Sequence, residues 1–268
     1  MVACGFPGVE VRGDLAIAGR LGASCVEVLP DWRSLPDPVA FGALAADHGL
    51  AVHSAHGCWG RRTIQAQRVD LGEPEPTARR ASIDDIRRCL DWLAEAGGRC
   101  LVVHPGGYSE PPEFAARREA LSASLGELAG HATASGVLLC VENMPPGVCP
   151  GSRMGDLAAI LDQLEHPSIA LTLDTGHAQL GLGLLTETAA AGRRLATTHV
   201  HDNDGRRDTH LPPGLGVVDW SAWPAALDAI GYEGPIMLEC IRHLRDDPGS
   251  LGEDLTRRLD ELTRRASG

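Results

Sequence analysis

Positive charge is scarce in this chain, with 24 Lys and Arg against 36 Asp and Glu and a formal net charge of -12 at pH 7. Such a surface repels a phosphate backbone unless a local basic patch intervenes, so nucleic acid begins as a disfavoured partner. Side chains able to wedge into a duplex are few as well, since the chain holds 2 Tyr and 3 Phe. The eight cysteines, at 4, 25, 58, 89, 100, 140, 149 and 240, form no C-x-x-C pair. That excludes a zinc-finger spacing and does not suit a small disulfide scaffold. Most read as small buried side chains in a reducing environment, with Cys58 and Cys149 in loops. No apolar run approaches the roughly 20 residues of a membrane span, and no basic leader follows Met1, so the expected location is cytoplasmic. Linkers are missing too, because the Pro and Gly clusters at 72–76, 145–151 and 211–216 fall where βα loops are expected.

What is present is a regular alternation of short β-branched runs and longer helical patterns, the mark of repeated βα units around a parallel sheet. Strands are expected near 2–6, 24–29, 50–54, 100–104, 137–141, 169–173, 196–201 and 235–240. The runs LVV, VLLCV, IALTL and IMLEC are continuously apolar, which suits strands buried on both faces. Helical spacing is clearest over 82–96, where Ile83, Ile86, Leu90 and Leu93 recur and Gly97-Gly98 supply a stop. The stretches 38–48, 113–134, 154–166, 219–230 and 250–265 read likewise, with Asp219 as an N-cap. Trp220 and Trp223, in that fifth helix, are expected in the core. Eight strands and eight helices in strict alternation predict an α/β fold, a single (β/α)8 TIM barrel domain over residues 1–268. A doubly wound open sheet is the competitor, and the placement of the chemistry is the arbiter.

Six consecutive expected strands end in a histidine or carboxylate. These are His53 and His56; His104; Glu142; Asp174 and His177; His199, His201 and Asp202; and Glu239. In a barrel such ends surround one mouth, so residues far apart in sequence converge. Ionised carboxylates after apolar strands must be paired or bind a metal, which singles out Glu142 and Glu239. A mixed imidazole and carboxylate set suits zinc, manganese, cobalt or iron, and the absence of cysteine from it leaves room for open coordination positions. Asp208 and His210 add another Asp-x-His in the loop beyond. Arg206 and Arg207, in the same loop, are placed to clamp a phosphate or polarise a substrate oxygen. His48, His131, His166 and His243 lie on or beside helical segments and read as surface or core-edge side chains.

The motifs HPGG (His104), VENM (Glu142), LDTGH (Asp174, His177), HVHD (His199), DTHLPPGLG (Asp208, His210) and MLEC (Glu239) resemble the superfamily of xylose isomerase-like barrels. That superfamily includes sugar isomerases and epimerases and the zinc-dependent apurinic endonucleases. The first branch implies one divalent metal held by Glu142, Asp174, His199 and Glu239, with Glu142 and Glu239 also acting as catalytic acid and base. His201 shares a strand face with His199, so the choice between them stays open. The second branch implies three zinc ions: His53, His104 and Glu142 for the first; Glu142, Asp174, His199 and Glu239 for the second; His177, Asp208 and His210 for the third.

One to three divalent ions, zinc or manganese, are therefore expected, with substrate contacts from His56, His201, Arg206 and Arg207. Against DNA repair, only Arg61, Arg62, Arg153, Arg206, Arg207, Arg242 and Arg245 are near enough to form a basic crescent, and His56 stands where an aromatic is expected. The leading expectation is a metal-dependent isomerase or epimerase acting on a sugar, sugar phosphate or related small polyol. A di- or trinuclear zinc phosphoesterase is the alternative, and a barrel that binds without turnover comes third.

Overall fold

The computed structural model describes residues 2–4, 11–28, 37–58, 69–246, 255, 257 and 258. Seven parallel strands form one sheet in chain order: β1 (Val2–Cys4), β2 (Cys25–Val28), β3 (Ala51–His56), β4 (Cys100–Val103), β5 (Leu138–Glu142), β6 (Ile169–Asp174) and β7 (Leu195–His199). Each strand pairs with its sequence neighbour and the order never reverses. A doubly wound sheet requires a reversal at its switch point, so that competitor is excluded.

Among the described residues the ladder holds seven strands, where eight were expected. The segment 235–240 does lie beside the end of β7, joined by a parallel bridge between Val200 and Leu238. Val200 N donates to Met237 O at 2.6 Å and Glu239 N to Val200 O at 3.1 Å. Pro235 has no N–H to give a ladder. The Thr198 hydroxyl serves instead, donating to Pro235 O at 3.0 Å and accepting from Met237 N at 3.2 Å. The rest of the first expected strand and most of the helix expected over 250–265 lie outside the described residues, as do Arg61 and Arg62.

The helices are α1 (Val11–Arg20), α2 (Pro38–Asp47), α3 (Pro76–Glu95), α4 (Phe114–Ser135), α5 (Met154–Leu164), α6 (Thr175–Leu180), α7 (Leu184–Ala191), α8 (Trp223–Ala229) and α9 (Ile241–Asp246). Helix α3 starts at Pro76, six residues before the expected start at 82. Glu75 caps it by accepting from Thr77 N and Ala78 N, and Pro76 follows at the first helical position. Asp219, the expected cap of α8, instead accepts from Ser221 N and Ser221 Oγ in a local turn, and the helix begins at Trp223. Trp223 is fully buried, as expected, and its Nε1–H donates to Thr188 Oγ1 on α7 at 3.1 Å. None of the described helices is long and apolar enough to cross a membrane.

Period-two alternation sorts the strand side chains into two layers. Leu101, Val103, Leu139, Val141, Leu171 and Leu173 belong to the large core shared with the helices. Cys100, Val102, Cys140 and Ala170 form a separate cluster of mostly small residues. On β5 the alternation that buries Cys140 in this second layer also sends Glu142 to that side. One interruption matters for function. Val26 pairs with Val52 but Glu27 pairs with Ser54, so His53 is the extra residue of a β-bulge. Beyond it the faces exchange, and Ala55 joins the outer core while Ser54 and His56 turn towards the carboxylates described next.

Candidate metal centre

Glu142, the last residue of β5, is the hub. Its Oε2 lies 3.3 Å from His56 Nε2 and 3.3 Å from His104 Nε2. Its Oε1 lies 3.1 Å from His199 Nδ1 and 3.7 Å from His177 Nδ1. His199 Nδ1 is also 3.2 Å from Glu239 Oε2. On the other side of its ring, His199 Nε2–H donates to Glu27 Oε1 at 2.8 Å, and Ser54 Oγ–H donates to Glu27 Oε2 at 2.6 Å. Possible ligand atoms of Glu142, Asp174, His199 and Glu239 all fall within 4.8 Å of one another, as do those of His56, His104 and Glu142. Further groups are Asp174, His177 and His201, and His201, His210 and Glu239.

A second cluster adjoins the first. Asp208 Oδ2 sits 3.2 Å from His177 Nε2 and 3.1 Å from His210 Nε2, and His201 Nε2 is 3.0 Å from Asp174 Oδ2. The loop after β7 brings Asp208 and His210 back through backbone bonds in both directions between Asp202 and Leu211. Fully buried Asp202 organises that loop by accepting from Asn203 N, Gly214 N, Val218 N and Trp220 Nε1. His210 holds a left-handed backbone with φ of 49°, a strain typical of functional loops. Gly176 has its own reason to be glycine, because a Cβ there would run into the His201 ring.

The tautomers follow from the anchors. Backbone carbonyls only accept, so His56 donates Nδ1–H to Gly57 O at 2.9 Å, His177 to Asn143 O at 2.8 Å and His210 to Glu239 O at 3.0 Å. Each therefore aims Nε2 at a carboxylate 3.1–3.3 Å away. A lone pair facing an anionic oxygen requires a cation between them. Without a metal ion a proton serves: burial lowers the histidine pKa, but Asp174, Asp208 and Glu142 outweigh it and raise His177 to about 10. His210 is raised to about 9 against the same burial penalty, by Asp208, Glu239 and Asp174. Burial likewise opposes charge on His199 and Glu142. The surrounding carboxylates carry His199 well above its usual range, and His199, His104 and His56 hold Glu142 well below its own. Burial prevails at His104, whose pKa falls. Buried carboxylates facing oriented imidazole nitrogens are the donor set that a divalent cation of the zinc or manganese type requires.

A cavity of about 300 Å³ opens onto this centre, lined by His56, His104, Glu142, His177, His210 and Glu239 among others. His53 is not among the grouped ligands; its ring neighbours Cys100 at the start of β4, and His56 occupies the place beside His104 and Glu142. The bulge is the physical cause. His199 joins the central group, and His201 contacts Asp174 and Asp208. Arg206 and Arg207 are exposed, Arg207 pairs with Asp204, and neither lines the cavity. Arg242 and His243 line it instead, although His243 reads as bland in the sequence. Glu27 escaped sequence reasoning because it lies within a strand and not at its end. The signal was there: a carboxylate between Val26 and Val28 must face the side opposite those two core residues.

The model of the xylose isomerase-like TIM barrel family matches residues 15–262. L-ribulose 3-epimerase of Methylomonas sp. (strain DH-1) is 28% identical over 247 residues, covering 88% of this chain and 80% of that protein. Ketose 3-epimerase of Arthrobacter globiformis is 28% identical over 219 residues, covering 76% and 70%. Among solved structures, D-psicose 3-epimerase in the presence of D-fructose aligns with a TM-score of 0.79 over 100% of this chain and 99% of that one, at 16% identity, a likeness of fold. Sequential parallel strands, strand ends that carry acids and histidines, and a match that runs nearly end to end agree: this chain belongs to the xylose isomerase-like TIM barrel family.

Proposed function

We propose that this protein is a divalent-metal-dependent sugar epimerase acting on a small ketose, with Glu142 and Glu239 as the acid–base pair. The observation that carries the reading is that these two carboxylates approach one nitrogen, His199 Nδ1, at 3.1 and 3.2 Å while both line the same cavity. Epimerisation needs a base to remove a proton from the carbon beside a carbonyl and an acid to return one from the opposite face. Two buried carboxylates flanking one small cavity supply that pair. Glu142, Asp174, His199 and Glu239 are the residues to hold the ion, which when bound polarises the carbonyl and acidifies the adjoining C–H. His56 and His104 line the cavity beside the pair and orient substrate hydroxyls by hydrogen bonds, whereas the fully buried His201 is turned to Asp174 and does not line it. Two of the relatives are named ketose and L-ribulose 3-epimerases, which supports a ketose substrate and inversion at C3. The exposed Arg206 and Arg207, turned to Asp204 or solvent, give no support to a phosphorylated one.

The test is solvent exchange. Manganese-loaded protein incubated with L-ribulose, D-psicose or D-fructose in deuterated buffer is expected to place deuterium at C3 and to form the epimer. Absence of both with every ketopentose and ketohexose tried would sink the proposal. A multinuclear phosphoesterase is the second reading, favoured by Asp208 Oδ2 lying between His177 and His210. It requires more than one tightly held metal per chain and hydrolysis of a simple aryl phosphate ester.

A further inference from the structure

Glu27 is fully buried within β2 and belongs to none of the grouped ligand sets, yet its carboxylate is held from two sides. His199 Nε2 lies 2.8 Å from Oε1 and Ser54 Oγ 2.6 Å from Oε2. His199 differs from its neighbours in both respects that matter to a ligand. His56, His177 and His210 anchor Nδ1 on a backbone carbonyl and present Nε2. His199 presents Nδ1 to Glu142 and Glu239, and its outer nitrogen is anchored on a carboxylate. A carboxylate behind an imidazole fixes the tautomer, fixes the ring plane and makes the inner nitrogen a stronger donor than a carbonyl does. We propose that Glu27 is a positioning residue of the metal centre, holding His199 with Nε2 protonated and Nδ1 directed at the ion, with Ser54 fixing Glu27 in turn.

Glu27 cannot substitute as a direct ligand in this arrangement, because it meets the ring on the nitrogen opposite the one that faces Glu142 and Glu239. The β-bulge at His53 is part of the device, since it is what turns Ser54 towards Glu27. This inference rests on the metal-centre reading above.

The experiment measures binding of Mn2+ and Co2+ to the full chain by competition with a chelator, together with the visible spectrum of the Co2+ form. Glu27→Ala is expected to weaken both metals by about 10- to 100-fold and to shift the Co2+ bands. Glu27→Gln, which keeps an acceptor oxygen but not the charge, is expected to fall between Ala and the parent. Ser54→Ala leaves the carboxylate in place and is expected to weaken binding severalfold; with Glu27→Gln it carries the test if Glu27→Ala does not fold. Parental affinity and an unshifted Co2+ spectrum in both Glu27→Gln and Ser54→Ala would overturn the inference and leave the metal centre standing. A parent protein that binds neither metal would overturn the metal centre itself.

Discussion

Glu239 is 8% exposed and lines the cavity from the segment beside β7, with its backbone carbonyl anchoring His210 and its carboxylate facing His199. Glu239→Gln keeps the shape and removes the proton acceptor. Loss of a positioned general base costs about 10²- to 10⁴-fold, so C3 exchange in deuterated buffer, followed by NMR, is expected to slow by at least about 100-fold. His177 and His210 set the response to pH. Their pKa values of about 10 and about 9 in the folded chain lie above the ordinary histidine value. The stability they contribute is therefore complete below about pH 6.5 and is lost as pH climbs through 9 and then 10. Chelator-treated protein should show a falling thermal midpoint across that window. A metal ion taken up by this cluster, as the second reading requires, would have to displace the same protons, so its affinity there should rise over the same range, with proton release detectable by calorimetry in buffers of different ionisation enthalpy.

At the scale of elements, the loop after β7 is built on one side chain. Asp202 satisfies three backbone N–H groups and the Trp220 indole, all within a segment that delivers Asp208 and His210. Buried donors left without an acceptor cost about 1–3 kcal/mol each. Asp202→Ala is therefore expected to destabilise the protein by at least about 3 kcal/mol in chemical denaturation. Hydrogen-exchange protection at Gly214 and Val218 should fall first. Glu142, Asp174, His199 and Glu239 all lie outside that loop, which touches the group through the His210 bond to the Glu239 carbonyl, so one metal should still bind. Loss of all metal binding would show that the two clusters are not separable.

Across the whole molecule, distant loops at the mouth are tied by a buried ion pair. Arg117 on α4 donates from Nη2 to Asp70 Oδ2 at 2.6 Å and from Nε to Cys149 O at 3.1 Å. Asp70 precedes α3, and Cys149 lies in the loop that follows Glu142 at the end of β5. The HPGG turn that carries His104 rests on this pair, because a Cβ at Gly106 would press on both Asp70 and Arg117. Breaking a buried pair by removing one partner costs about 3–5 kcal/mol. Arg117→Ala should lose that much on urea unfolding and should weaken metal binding through Glu142, whose Oε2 His104 faces at 3.3 Å. A thermal midpoint equal to the parent's would show that the pair only decorates the loops.

The alternation of apolar runs and helical spacings was enough to call for consecutive βα units, because burial on both faces of a strand and on one face of a helix leaves its mark on local sequence. The strand-end acids and histidines were legible for the same reason: Glu142, Asp174 and Glu239 follow apolar runs where an unpaired charge has no other use. Tertiary structure decided what local pattern does not record. An inserted residue at His53 exchanged the faces of β3 and made His56 the partner of Glu142. Side-chain bonds from Thr198 took the place of an eighth ladder. Glu27 acquired its role only when β2 and β7, 172 residues apart along the chain, brought its carboxylate to His199. Periodicity states which way a side chain faces, whereas the partner it meets is set by strand register and by the curl of the sheet, and these are properties of the assembled chain.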